Sequence, residues 1–314
     1  MATASTSTVI DQTSDAGFQA WVTEMVTQLA GVGLTQTSDT GQLDPATATI
    51  PGTTNTSAGY TIWQFNDTLQ ATNPIFIKLE FGTGAYSTND PQMWITTSTG
   101  TDGAGTLNAT GLSQRVICCS GTSGAISLTT NYISRWCYNA TYGFLGVSWK
   151  IDAPGTTAWN LGGFFVGRSN DSSGVVTGDA VYSLAAGTSS TGRDGGFMQI
   201  YSWLTSTLYP TGPSYNNIQG SVWGILPFNM SSSTNPLGNY QVMPGLMYTP
   251  NVQFTNQIGV CLTAEIPLGT SFTTALIGST PATYINSGGA PGTTVTVASG
   301  SINISQACMY MLWQ

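Results

Sequence analysis

Charged side chains are scarce in this chain, and this scarcity constrains its fold more than any other feature of the sequence. Only 6% of the 314 residues are Asp, Glu, Lys or Arg, and histidine is absent. An ordinary soluble domain carries about 25% charged residues. The surface must therefore be built from Thr, Ser, Asn, Gln and Gly, a composition typical of durable, β-rich extracellular or particle-bound proteins rather than of metabolic enzymes.

The distribution of the charges argues against several classes of partner. The six positive residues are scattered singly, and the formal net charge is −8. Without a basic stripe, binding to nucleic acid or to anionic membrane surfaces is not expected. No run approaches the ~20 apolar residues of a membrane span, so membrane insertion is not expected either. Met1 to Thr8 has no positive region and no apolar run, so a secretory signal is not predicted.

The absence of histidine also limits the chemistry that the chain can perform. Ser-His-Asp and Cys-His catalysis cannot run within it. A glycosidase that uses two carboxylates is the most serious enzymatic alternative. Glu265 lies in the apolar run from Gly259 to Ile266 and is the best candidate for a raised pKa, although a Glu at a strand edge that faces solvent or pairs with an Arg explains it more simply. The other candidates are Asp152, Asp171, Asp179 and Asp194. Because nothing identifies a partner carboxylate, we predict no catalytic residue and no enzymatic activity.

The cysteines do not form a metal-binding pattern. There are five of them, an odd number, with no Cys-x-x-Cys pair: Cys118, Cys119, Cys137, Cys261 and Cys308. Without histidine and without a Cys-x-x-Cys pair, the cysteine spacing argues strongly against a zinc site. We expect buried free thiols; a bridge from Cys118 or Cys119 to Cys137 across neighbouring strands is the alternative.

Three aspartates are candidate calcium ligands. Asp102 lies in a Thr-Asp-Gly-Ala-Gly stretch, and Asp39 and Asp44 flank Thr-Gly-Gln. Carboxylate oxygens suit calcium, but neither spacing fits the twelve-residue loop of an EF-hand. Asx-turns explain these residues more simply. The sequence therefore predicts no metal site and no cofactor.

One segment has the pattern of an amphipathic helix. Ser14 or Asp15 can cap its start, and Gly31 or Gly33 can end it. One apolar stripe recurs at helical spacing: Phe18, Trp21, Val22, Met25, Val26 and Leu29. We expect this stripe to dock on the chain's own sheet, with a second subunit as the alternative.

After the helix the apolar period changes to two, which predicts strands. Ile75, Ile77, Leu79 and Phe81 alternate with more polar neighbours, the pattern of a half-buried strand. Further strands are predicted at 60–65, 92–97, 114–118, 125–129, 143–151, 161–166, 180–184, 196–203, 221–227, 241–247, 259–266, 272–277, 293–297 and 307–312. We predict a mainly β fold, a β-sandwich or jelly-roll-like body of many short antiparallel strands with one N-terminal α-helix. Residues 1–35 are predicted as an arm and helix and 36–314 as the β-rich body, with a subdivision near residue 110 as the alternative.

Aromatic residues give the remaining functional signal. Trp63, Trp94 and Trp149 lie inside apolar strands and are predicted to be core residues. The loop from Thr205 to Gly220 is the predicted exposed contact surface, because aromatic side chains in or beside it suit carbohydrate stacking or a protein interface. These residues are Trp203, Tyr209 and Tyr215.

Several segments carry a likeness to a known class of protein. Besides the helix, they are Asp39–Gln42, Gly59–Asp67, Pro74–Gly82, 100–105, Gly162–Arg168 and the chain end Met309–Gln314. They resemble the virion structural proteins of tailed bacteriophages, most closely over the first 110 residues. The resemblance implies an oligomeric particle component associated with the tail or capsid, and it carries over no functional residue.

Three functions follow from these observations. The first is a non-enzymatic structural protein of a phage virion, from the tail, fibre, baseplate or neck, which contacts other virion proteins and copies of itself. The second is a capsid decoration or cement protein. The third is a module that binds, or cleaves, a host receptor or surface polysaccharide.

Overall fold

The described part of the chain folds into a mainly β structure with one helix near its start. The computed structural model describes residues 2–84, 87–108, 116–120, 131–151, 160–187, 197–202, 207–210, 243–247, 253–261, 271–278, 280–289, 294–297, 300–303 and 308–313. The elements in chain order are β1 (Ala2–Val9), α1 (Asp15–Gly31), β2 (Thr35–Gln36), β3 (Ser57–Gln64), β4 (Phe76–Thr83), β5 (Pro91–Ser98), β6 (Val116–Ser120), β7 (Asn131–Asn139), β8 (Phe144–Ile151), β9 (Asn160–Asn170), β10 (Val176–Gly187), β11 (Phe197–Ser202), β12 (Thr207–Pro210), β13 (Met243–Met247), β14 (Gln253–Cys261), β15 (Ser271–Thr274), β16 (Ala282–Gly289), β17 (Thr294–Val297), β18 (Gly300–Asn303) and β19 (Cys308–Leu312). The predicted mainly β, sandwich-like fold with an N-terminal helix is confirmed.

The helix forms where the apolar stripe predicts it. The Ser14 side chain caps the first turn by accepting a hydrogen bond from the Gly17 backbone N–H at 3.2 Å. Just past the helix, Gly33 adopts a φ of +109°, a conformation that favours glycine. The stripe docks on the chain's own sheet, as expected: Trp21 meets Phe81 edge to face, with ring centroids 5.8 Å apart. Each large apolar side chain buried in this way stabilises the fold by roughly 1.5–3 kcal/mol.

The described strands form three antiparallel sheets and a separate hairpin of β17 and β18. The first sheet has the order β2-β3-β4-β5-β6. The central sheet has the order β1-β7-β8-β9-β10-β11-β12. The third sheet has the order β13-β14-β19-β16-β15. Single residue pairs link the first and third sheets to β9, so one hydrogen-bonded network joins all three.

The middle strands of the central sheet, β7 to β10, are buried on both faces. Along β8, Leu145 and Val147 enter a first core that they share with α1 and the first sheet. Phe144 enters a second core, which the central sheet shares with Tyr284 and Met311 of the third sheet. Alternate residues of a strand point to opposite faces. The structure is therefore layered, with the helix and first sheet on one side of the central sheet and the third sheet on the other.

The half-buried strand predicted around residue 78 is confirmed. Ile75, Ile77, Leu79 and Phe81 are each at most 1% exposed, whereas the residues between them are partly accessible. The three tryptophans predicted to be core residues, Trp63, Trp94 and Trp149, are buried. No helix in the described ranges is long and apolar enough to span a membrane.

Several strands differ from the sequence prediction. The sequence predicts a loop from Thr205 to Gly220, but Thr207–Pro210 within it is strand β12, antiparallel to β11. The sequence also did not predict β1, β2, β7, β16 and β18. In β7, Trp136 enters the first core and Cys137 the second. Burial on both faces removes the apolar–polar alternation by which a strand is identified. The strands predicted at 125–129 and 221–227 lie outside the described residues.

Candidate functional site

The predicted contact residues lie mostly outside the described part of the chain. Trp203 and Tyr215 are outside it. Tyr209 lies in β12, where its backbone is opposite Ile200 of β11. It therefore belongs to a strand at the edge of the central sheet rather than to a loop.

The carboxylates considered for glycoside hydrolysis are also only partly described. Asp152, Asp194 and Glu265 lie outside the described residues. Asp171 holds the turn between β9 and β10, since its Oδ1 accepts hydrogen bonds from the backbone N–H of Ser173 at 2.8 Å and of Val175 at 3.0 Å. This arrangement gives the Asp171 carboxylate a structural role in its own turn.

The candidate calcium ligands are used to shape loops. Asp44 Oδ1 accepts a hydrogen bond from the Ala46 N–H at 2.9 Å, and Asp102 Oδ1 accepts one from the Ala104 N–H at 2.7 Å. Both are Asx-turn contacts. The backbone N–H groups that bind Asp102 lower the pKa of its carboxyl. Asp39 Oδ1 reaches the same loop and accepts from the Gly105 N–H at 3.1 Å. In the described ranges, no three His, Cys, Asp or Glu side chains are grouped to hold a metal.

Three of the cysteines are buried free thiols, as predicted. Cys118, Cys119 and Cys137 have no disulfide partner, so the alternative bridge between them is wrong. Burial raises the pKa of the Cys137 thiol to about 12 and raises those of the other two as well. A thiol is nucleophilic only as the thiolate, so these three groups are chemically inert in the folded protein.

A cleft of about 310 Å³ opens at one end of the sandwich among the described residues. Three segments line it: residues 67–69 after β3, residues 140–143 between β7 and β8, and residues 174–176 where the β9–β10 turn enters β10. Arg168 of β9 lies at its base. The cleft therefore depends on segments that are far apart in sequence.

A buried ion pair joins two of these segments. Arg168 donates from Nε to Asp67 Oδ2 at 2.7 Å and from Nη2 to Asp67 Oδ1 at 2.8 Å. Its Nη1 donates to the Asn73 carbonyl at 2.8 Å. The two side chains are 0% and 3% exposed. Because the forked contact satisfies both charges, the base of the cleft is electrically neutral.

Glycine is required beside this ion pair. Gly143 has a φ of +54°, and a Cβ there would lie 2.7 Å from Arg168 Cδ and 2.9 Å from Asp67 Oδ2. The Gly143 carbonyl also accepts the Arg168 backbone N–H at 3.0 Å. The absence of a side chain thus lets the β7–β8 turn cover the pair and exclude water from it.

A polar network behind the cleft ties the central sheet to the third sheet. Tyr182 donates its hydroxyl hydrogen to Gln257 Oε1 at 2.7 Å, and Gln257 Nε2 donates to the Tyr142 carbonyl. Burial raises the pKa of Tyr182, so its hydroxyl remains a donor. Nearby, Asn256 Nδ2 donates to the Gly174 carbonyl at 3.3 Å. These contacts fix the β7–β8 and β9–β10 turns that form the walls of the cleft.

The lining suits a neutral, amphipathic group. Its one described carboxylate, that of Asp67, is paired with Arg168. Hydroxyl-bearing Thr68, Thr141 and Tyr142 share the walls with aliphatic residues. Val175 lies at the rim and is 61% exposed. Among the described residues, it is the one large hydrophobic side chain that is exposed. The described lining offers packing and hydrogen bonds, but it pairs no nucleophile with a base.

A second feature is the outer edge of β1, the terminal strand of the central sheet. β1 pairs with β7 over eight consecutive residues without a bulge, and no described strand pairs with its other side. It contains no charge, proline or glycine. Natural proteins usually protect such edges with charges, proline, bulges or short strands. Among the described elements, β1 is therefore a long and regular edge that none of these devices protects.

Four other described sheet edges are protected in these usual ways. β2 is two residues long, and β15 is four. β12 is also four residues long and ends in Pro210. β13 contains Pro244, where its register with β14 shifts. The contrast makes β1 the described edge best suited to pair with another chain.

Comparison with known proteins does not assign the chain to a family. No family model, curated protein or solved structure matches it.

Proposed function

We propose that this protein is a non-enzymatic structural component of a tailed-phage particle, associated with the tail, fibre, baseplate or neck, and that it acts through oligomer and subunit interfaces. Its uncharged, Thr/Ser/Asn/Gly-rich composition supports this role. The roles of its polar side chains support it as well. The described aspartates of three turns accept hydrogen bonds from backbone N–H groups, and the described thiols are inert.

The observation that carries the proposal is the unprotected β1 edge. A second copy of β1 is the occupant that fits it, because two identical edges related by a two-fold axis can pair antiparallel and satisfy one another. About half of the backbone N–H and C=O groups of an edge strand point away from its neighbour and are free for such pairing. The absence of charge from β1 removes like-charge repulsion between the copies.

Sedimentation of the purified chain tests this interface. The Ser5→Lys/Ser7→Lys variant places two charges on β1, and we expect it to shift an oligomer to monomer. The matched control is Thr23→Lys/Thr27→Lys, which adds the same charge on the exposed face of α1 and should leave the oligomer intact. A wild-type chain that is monomeric at high concentration would contradict the interface, as would an oligomer that the β1 variant leaves unchanged.

The place in the particle needs a separate experiment. Gold-labelled antibody should mark the tail or its tip on particles from a host lysate. A uniform distribution of label over the head would favour a decoration protein. A copy number in the hundreds, measured by gel densitometry against the major capsid protein, would support that assignment. If blots of disrupted particles lack the protein, the virion assignment is wrong.

The cleft favours glycan binding as a second candidate function. A sugar ring is a neutral, amphipathic group of the kind that Tyr142 and the hydroxyls of Thr68 and Thr141 suit. Titration with host surface glycans, followed by calorimetry, should give binding that Tyr142→Ala abolishes. Absence of binding to host cells and their glycans would remove this function.

A further inference from the structure

Two cysteines that are far apart in sequence occupy opposite positions in the third sheet. β14 and β19 pair antiparallel through Ile258 with Met311, and three residues further along the ladder Cys261 is opposite Cys308. The register runs through four consecutive pairs without a bulge. A shift of one residue in the register of β14 against β19 would separate the two cysteines. The unbroken run of four pairs opposes such a shift.

This backbone placement satisfies the distance requirement of a disulfide. Directly opposite residues in an antiparallel pair have Cα atoms about 4.5–5.5 Å apart. Disulfides span Cα separations of about 4.4–6.8 Å. Cys261 is the last residue of β14 and Cys308 the first of β19. Because the ladder ends at this pair, the backbone can adjust there without disrupting the rest of the sheet.

The remaining cysteines do not compete for this pairing. Cys118 and Cys119 are consecutive at a bulge of β6, and both side chains lie in the first core. Cys137 of β7 is opposite Gly146 on one side and Thr3 on the other. These three are free and buried. An odd set of five cysteines thus separates into three internal thiols and one opposed pair.

We propose that Cys261 and Cys308 form an intrachain disulfide when the protein meets an oxidising environment. The oxidant is a low-molecular-weight disulfide. One cysteine thiolate attacks it and releases one small thiol. The second thiolate then attacks the mixed disulfide, forms the Cys261–Cys308 bond and releases the other. Two protein thiols are oxidised and one small disulfide is reduced to two thiols.

The setting of this reaction rests on the proposed function. A particle component is made in the reducing cytoplasm and enters an oxidising medium when the host lyses. The bond would then close a loop of 47 residues, the difference between positions 308 and 261. A loop of that length lowers the unfolding equilibrium constant by about 10³-fold in the chain-entropy treatment. The third sheet would therefore become more stable after release.

Peptide mapping of the full chain tests the bond directly. The protein is incubated with oxidised or reduced glutathione, alkylated in denaturant and digested. We expect the oxidised sample to contain a linked peptide with Cys261 and Cys308, and the reduced sample to have all five cysteines alkylated. Five alkylated cysteines after oxidation, or a link between other positions, would overturn the proposal.

Variants separate the bond from general effects of mutation. Cys261→Ser and Cys308→Ser should each lose the increase in melting temperature that oxidation gives the wild type, and should match the wild type under reductant. Cys118→Ala is the matched control and should keep the increase. If Cys261→Ser keeps it, the proposal fails. If the isolated chain forms the disulfide but the protein is absent from particles, the virion function is refuted and the disulfide stands. If the protein is present in virions but all five of its thiols are free there, the disulfide is refuted and the virion function stands.

Discussion

Removal of Asp67 gives the sharpest test of how the cleft is built. Asp67→Ala leaves the Arg168 guanidinium 0% exposed, without the carboxylate that it contacts at 2.7 and 2.8 Å. An uncompensated buried charge costs about 3–5 kcal/mol. For 314 residues that unfold together, an entropy of about 2.1 cal/mol/K per residue converts this loss into a fall in melting temperature of roughly 5–8 °C.

Urea titration and calorimetry of four variants provide the measurement. Asp171→Ala is the control, because it removes an aspartate from an exposed turn of the same cleft and should cost about 1 kcal/mol or less. Arg168→Met and the double variant Asp67→Ala/Arg168→Met complete a double-mutant cycle. The double variant should be more stable than Asp67→Ala alone, because it removes the orphaned charge. An Asp67→Ala cost below about 1 kcal/mol, or additive single costs, would refute the reasoning.

Three further predictions follow from burial and close contacts. Gly167→Ala should cost about 1–3 kcal/mol in urea titration, because its Cβ would lie 2.5 Å from the Tyr182 hydroxyl and displace Gln257; an unchanged midpoint would contradict this. Burial raises the pKa of Asp90, whose Oδ2 has no hydrogen-bond partner. Because burial raises the pKa of Asp90, its protonated form fits the folded state better than its ionised form. The contribution of the protonated Asp90 side chain to stability is complete below about pH 3.8, the ordinary pKa of the group, and is lost as pH rises through the pKa in the folded state. Asp90→Asn should therefore stabilise the protein at pH 7, and this gain should shrink at pH 3–4 in melting experiments. Cys137, with a thiol pKa of about 12, should react with iodoacetamide at pH 8 about 10³-fold more slowly than a free thiol, as peptide mass spectrometry can measure; rapid labelling in the native state would show that it is accessible.

Local periodicity predicts the parts of this fold that have one exposed face. The helix stripe and the alternation from Ile75 to Phe81 are both present in the structure, because one side of each element contacts water. β7 has no such signal, because Trp136 and Cys137 enter different cores. A strand in the middle of three layers has no face exposed to water. Its identity depends on its neighbours rather than on its own sequence.

The cleft could not be located from local sequence, since its ion pair joins positions 67 and 168. One signal was nevertheless available. Arg168 follows the apolar run Phe164 to Gly167 in a chain with only six positive residues. A guanidinium inside an apolar strand requires a buried acceptor. The sequence indicates that such a partner exists, but only the packing of the turns identifies it as Asp67.

The position of β1 has a consequence for synthesis. Its partner strand lies more than a hundred residues further along the chain, since Ala2 pairs with Tyr138. At about 5–20 residues per second, β7 follows β1 from the ribosome after roughly 7–27 s. During this interval the local pairs β3–β4 and β4–β5 can form, while β1 has no native partner. We therefore expect nascent chains on one message to expose β1 to each other, so contacts between copies can begin before any copy is complete.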